Sequence, residues 1–300
     1  LVITTLADAL QVGPVVSDGG LATQLEVQGH NLNSELWSAR LLHDDPDAII
    51  SAHLAYFAAG AQVATTASYQ ASIDGFVRAG MTHAEAQKLI KRSVRLAEQA
   101  RADYRDHHGC WIAGSVGPYG AALADGSEYR GDYDLSAQEL RKWHRPRIEL
   151  LAEAGVDILA LETIPCLAEV EALLAEIDGT GQPCWLSVTC AGHRTRAGEP
   201  AEEAFAVARD VDEIIAVGVN CIDPADAYAL VRIASQAASK PVAIYPNSGE
   251  RWDATTKTWL APATFQPEDV QDWISGGARL VGGCCRVGPI EIKAIHDLVA

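Results

Sequence analysis

Three hundred residues, 48% of them hydrophobic, can bury a large core, and a net charge of −17 repels nucleic acid and acidic lipid at a distance. Seven cysteines, an odd number, fit reduced thiols in a cytoplasmic protein better than a disulfide framework. No apolar run is long enough to cross a bilayer, and residues 1–8 lack the basic stretch of a secretion signal, so a soluble protein acting on a small molecule is expected.

Along the chain, short β-branched or apolar runs alternate with longer helical stretches. The runs cover 15–18, 62–67, 111–116, 156–162, 184–189, 214–219, 241–245 and 279–283. Between them lie helix starts. Asp45-Pro46 and Asp223-Pro224 each offer an N-cap with proline at the first helical position, while Thr82 with Glu85 and Ser136 with Glu139 form capping boxes. In 85–102, Leu89, Ile90, Val94, Ala97 and Arg101 recur at helical spacing, and His107-His108 closes that helix. Pro146 predicts a kink or break in the helix that starts at Ser136.

Eight runs buried on both faces, each followed by a helix, predict an α/β fold: a (β/α)8 TIM barrel, in one domain over 1–300. A doubly wound sheet fits less well, because the phosphate-cradling glycine motifs of that class are missing. A barrel places its chemistry at the C-terminal ends of its strands. Those ends carry Asp18-Gly19-Gly20, Thr65-Thr66-Ala67-Ser68-Tyr69, Gly114 to Tyr119, Glu162-Thr163, Asn220-Cys221, Tyr245 to Asn247, and Gly283-Cys284-Cys285.

Three thiols, Cys221, Cys284 and Cys285, therefore fall on one rim. Vicinal cysteines bond to each other only with strain, yet both can reach one metal where the chain turns sharply, and Gly282-Gly283 permit such a turn. Thiolates are soft ligands that suit zinc, and three of them leave a fourth position open for substrate. The alternatives are cysteines packed as small hydrophobes and a redox-active pair. Across the mouth, Asp18 and Glu162 together suit a bound ammonium group. Long loops at 120–134 and 247–262 have the size of lids, and Trp37, Tyr69, Tyr119 and Tyr129 can offer aromatic faces to a cation. The nine histidines form no site; His193, in the loop after the fifth run, reads as solvated.

These residues resemble the zinc-dependent homocysteine S-methyltransferases nearly end to end. The likeness runs through Asp18-Gly-Gly-Leu-Ala-Thr-Gln-Leu-Glu, Glu35-Leu-Trp-Ser-Ala, Gly114-Ser-Val-Gly-Pro-Tyr-Gly, Asp125-Gly-Ser-Glu-Tyr-Arg-Gly, Glu162-Thr-Ile-Pro, Gly218-Val-Asn-Cys and Gly282-Gly-Cys-Cys-Arg. The Gly-Ser-Glu-Tyr-Arg-Gly loop looks most like the branch that takes its methyl group from S-methylmethionine. The resemblance implies zinc on Cys221, Cys284 and Cys285, with Asp18 and Glu162 on the homocysteine ammonium. It implies that backbone amides near Gly19, Gly20 and Thr66 take the carboxylate, and Trp37 and Tyr69 are the candidates for the sulfonium's aromatic contacts. Relatives using betaine carry a longer C-terminal tail for tetramers, so monomer or dimer is expected here. A zinc hydrolase or lyase on the same barrel, or a non-catalytic thiol redox switch at the vicinal cysteines, are the competing functions.

Overall fold

The computed structural model describes residues 5–32, 37–105, 109–253 and 258–300, with the side chains of 37–38, 251–253 and 258–259 excepted. His107-His108 lies outside the described residues.

Eight parallel strands form the frame: β1 (Val15–Val16), β2 (Val63–Thr65), β3 (Trp111–Val116), β4 (Ile158–Ile164), β5 (Cys184–Val188), β6 (Ile214–Asn220), β7 (Val242–Tyr245) and β8 (Ala278–Val281). Each pairs with its neighbour in chain order, and β8 pairs with β1. A parallel bridge between Ser17 and Val63, with Gln62 N–H donating to Val16 O at 2.7 Å, joins β1 to β2 and closes the barrel. Each strand falls within two residues of its expected run. Helices follow the strands outside, started as their caps predict: Asp45 accepts from the Ala48 amide, and both capping boxes are formed. No helix among the described residues is long and apolar enough to cross a membrane.

Strand periodicity sorts the side chains into two cores. Ile112, Leu159, Leu161, Leu186, Val217 and Val219 face outward to the helices, in one large cluster. Trp111, Ala113, Ile158, Ala160, Trp185 and Ala216 face the barrel axis, where Leu6 and Leu10 of the N-terminal helix Leu6–Val12 join them. Continuing the inward parity toward the C-terminal ends gives Thr65, Ser115, Glu162, Ser187, Asn220 and Tyr245. A polar layer thus caps an apolar plug, and that layer is the floor of the site.

Of the kink or break expected at Pro146, the break does not occur: the helix Ala137–Glu153 runs through it. The carbonyl that loses its donor belongs to exposed Lys142, where water can serve it, while buried His144 and Arg147 anchor the opposite face. Gly282 and Gly283 are not in the left-handed region; they are needed for close approach, since a Cβ on Gly282 would lie 2.8 Å from Asp18 O. The turn itself falls at Arg286, with φ +66°.

Gly218 is a third close approach, deep in the barrel, where a Cβ would run into the Ala243 backbone. Gly218→Ala is therefore expected to destabilise the fold by about 3 kcal/mol or more, read as a lower denaturant midpoint with an unchanged slope.

Candidate active site

Over the polar layer lies a cavity lined at the strand ends by Asp18, Thr66, Glu162, Cys221, Cys284 and Cys285, with Tyr69 and Tyr129 among the residues above them. The Sγ atoms of Cys221, Cys284 and Cys285 all lie within 4.8 Å of one another. The rim reading of the three thiols is what the geometry contains. Cys221 and Cys284 are joined in a disulfide, with Cα atoms 5.6 Å apart, while Cys285, Cys166, Cys184 and Cys190 are free thiols. All-reduced cysteines were expected, so this pair is a correction. The pairing links two strands and not the vicinal residues, whose short peptide resists closure.

The cysteine strands are held by side chains below them. Asn220 Oδ1 accepts from the Thr163 amide and the Ser187 hydroxyl, both at 2.8 Å, and its amide nitrogen donates to Thr163 Oγ1 at 2.7 Å. The same nitrogen sits 3.9 Å from Cys284 Sγ. Thr163 and Cys221 both have positive φ, at +61° and +50°, and such backbone persists only where surrounding bonds over-determine it. The Cys285 amide donates to Asn247 Oδ1 at 3.1 Å, so Asn247 helps aim the thiol. Burial pushes that thiol up to about 11. Its exposed side faces the cavity, and a cation held there would reverse the shift.

Asp18 and Glu162 are both buried. Asp18 accepts from the Thr65 amide and hydroxyl, each at 2.7 Å, yet desolvation outweighs these bonds and raises its pKa to about 6. Glu162 accepts from Ser115 Oγ; desolvation first, then the charge of Asp18, lifts it to about 7. Two partly frustrated carboxylates over one cavity suit a cationic ligand that would satisfy both.

The amides expected to take the carboxylate are those near Gly19, Gly20 and Thr66. Gly20 N–H already donates to Val287 O at 3.0 Å, and Thr66 N–H to Ala113 O at 2.9 Å, whereas Gly19 N–H has no acceptor in the chain among the described residues. Tyr69 lines the cavity on a loop pinned from beneath by buried Arg147, which donates to Tyr69 O at 3.2 Å and Ala71 O at 3.4 Å. Tyr119 is absent from the lining and packs edge-on against Tyr133 and Trp143. His193 is exposed in its hairpin. The Trp37 side chain lies outside the described residues.

The residues that sequence reasoning passed over as actors are Ser115, Asn220 and Tyr245, which orient the thiols and carboxylates, and Glu128. The first three share the inward parity of Ala113, Ala216 and Ala243, a signal present in the strand pattern.

Comparison with known proteins agrees with this geometry. The homocysteine S-methyltransferase family model matches residues 15–299. Homocysteine S-methyltransferase YbgG of Bacillus subtilis (strain 168) is 44% identical, over 94% of this chain and 93% of its own. The crystal structure of the Escherichia coli homocysteine methyltransferase MmuM in metallated form superposes with a TM-score of 0.86 at 38% identity, covering 95% of this chain and 96% of that one. Its oxidized form gives 0.85 at the same identity and coverage. With the barrel, the rim thiols and these matches together, the chain belongs to the homocysteine S-methyltransferase family and is an enzyme of methyl transfer to homocysteine sulfur.

Proposed function

We propose that the enzyme takes its methyl group from S-methylmethionine, and less efficiently from S-adenosylmethionine, and that Cys221, Cys284 and Cys285 hold a zinc ion. The observation that carries the metal is the convergence of three sulfurs within 4.8 Å, without a histidine or carboxylate among them. Tetrahedral zinc with sulfur ligands about 2.3 Å away spaces those sulfurs about 3.8 Å apart, so the donor set fits. MmuM, a relative with a metallated crystal form, supports the same reading. When bound, zinc would lower the pKa of the homocysteine thiol so that it is present as thiolate at neutral pH. A Cys221–Cys284 disulfide uses two of the same sulfurs, so the protein must be reduced to work.

The chain's own residues supply orientation. Asp18 and Glu162 accept the homocysteine ammonium, and the Gly19 amide donates to its carboxylate. Tyr69 and Tyr129 offer ring faces to the sulfonium, which holds a cation without neutralising it. The homocysteine sulfur then attacks the methyl carbon in line. One S–C bond forms as the donor's S–CH3 bond breaks, its electron pair stays on the departing sulfur, and the thiol proton has already left. Opposite charges cancel in the transition state, so alignment and exclusion of water matter more than stabilisation of new charge.

The test uses reduced, zinc-supplied enzyme, homocysteine and S-methylmethionine labelled in its methyl groups. Labelled methionine is expected, at a higher kcat/KM than with S-adenosylmethionine as donor. No methionine from either sulfonium would refute the donor class, and a preference for S-adenosylmethionine would reverse the order proposed.

A further inference from the structure

Glu128 stands in the short 3-10 turn Ser127–Tyr129, inside the loop that follows β3. Loop carboxylates usually face water, but this one is 8% exposed and lines the same cavity as the thiols. Its Oε2 is buried with no hydrogen-bond partner. Its neighbour Arg130 acts on it only through space and forms no ion pair with it, for that guanidinium turns to Asp132 at 3.2 Å and to Asp125 at 4.0 Å. The turn cannot swing out freely. A Cβ on Gly120 would lie 2.6 Å from the Ser127 carbonyl carbon, so the helix Tyr119–Leu123 is seated directly against it.

Among the described residues lining the cavity, the acids are Asp18, Glu26, Glu128 and Glu162, and there is no lysine, arginine or histidine. One amino-acid substrate brings one ammonium, and Asp18 with Glu162 accounts for it. A buried carboxylate oxygen without a partner persists where a ligand completes it. The reaction as proposed above has two amino-acid substrates, and the second one has an ammonium of its own.

We propose that Glu128 is the donor-side anchor, accepting the α-ammonium of the sulfonium amino acid that brings the methyl group. The choice of ammonium over sulfonium follows from the charge flow. A carboxylate against the sulfonium would favour the reactant, whose positive charge disappears in the transition state, and would slow the reaction. The ammonium keeps its charge throughout, so a carboxylate on it binds donor and transition state equally. Its removal therefore raises KM and leaves kcat. This inference rests on the donor class proposed above.

The test is Glu128→Gln beside wild type, with KM measured separately for S-methylmethionine and for homocysteine. The donor KM is expected to rise at least about tenfold, with kcat within about twofold and the homocysteine KM unchanged. Calorimetric titration of S-methylmethionine into the variant should show the same loss without turnover. Glu128→Asp, which keeps the charge on a shorter arm, should fall between the two and decides the matter if the glutamine variant folds poorly. An unchanged donor KM, or equal rises in both KM values, would overturn the assignment. Wild-type enzyme that forms no methionine from S-methylmethionine would instead refute the donor reading itself.

Discussion

Replacing Cys285 by serine is expected to lower kcat/KM for methyl transfer by more than about 100-fold, since partners one shell beyond a metal already cost 10- to 100-fold when lost. Cys285 is the informative thiol. It is free while Cys221 and Cys284 are joined, so its loss cannot be blamed on a missing cross-link. Its side chain is partly exposed to the cavity and bonded through its backbone to Asn247 and Ser248, contacts a serine keeps. The melting temperature of the reduced, metal-free protein should therefore hardly change. Activity within about threefold of wild type, with the metal retained, would mean that Cys285 is not a ligand.

Glu162→Gln should move activity and stability in opposite directions. The ammonium of homocysteine loses half of its carboxylate pair, and breaking a buried charge pair from one side costs about 2–5 kcal/mol, which is about 30-fold or more in kcat/KM. The free protein gains. Glu162 titrates near 7 when folded against an ordinary 4.5, so the folded state holds a proton that the unfolded state has released. A raised carboxyl pKa means stability that is full below pH 4.5 and lost as pH rises through 7. At pH 8 the ionised side chain costs up to about 3 kcal/mol, and glutamine removes most of that cost. Glutamine can still accept from Ser115. Urea unfolding at pH 8 and pH 4 should show the variant more stable only at the higher pH. Wild-type KM for homocysteine should also rise as pH falls below 7, whereas in the variant the rise should begin only near 6, where Asp18 takes up its proton. A destabilised variant at pH 8 would show that the carboxylate is a structural group.

The barrel was readable because each strand is buried on both faces, so runs such as Trp111 to Val116 stand out between capped helices. The thiols and the two carboxylates were readable because they sit where those runs end. Glu128 was not, since a glutamate beside Gly126 and Arg130 looks like solvated loop until the fold turns it inward. Tyr119 misled in the reverse sense: it stands at a strand end but is drawn into the Tyr133 and Trp143 cluster. Pro146 was read from local chemistry alone, while the buried contacts of Arg147 one residue later hold the helix through it. The reach of Gly20 and Thr66 amides also escaped the sequence, because their acceptors, Val287 and Ala113, come from distant strands and loops.

The most direct measurement is the metal content of freshly purified, reduced protein, with methionine formation followed as a chelator withdraws the metal. About one zinc per chain is predicted, with a rate that falls as the metal leaves and returns on adding zinc. Full activity in protein stripped of metal would contradict the account and return Cys221, Cys284 and Cys285 to packing or redox chemistry.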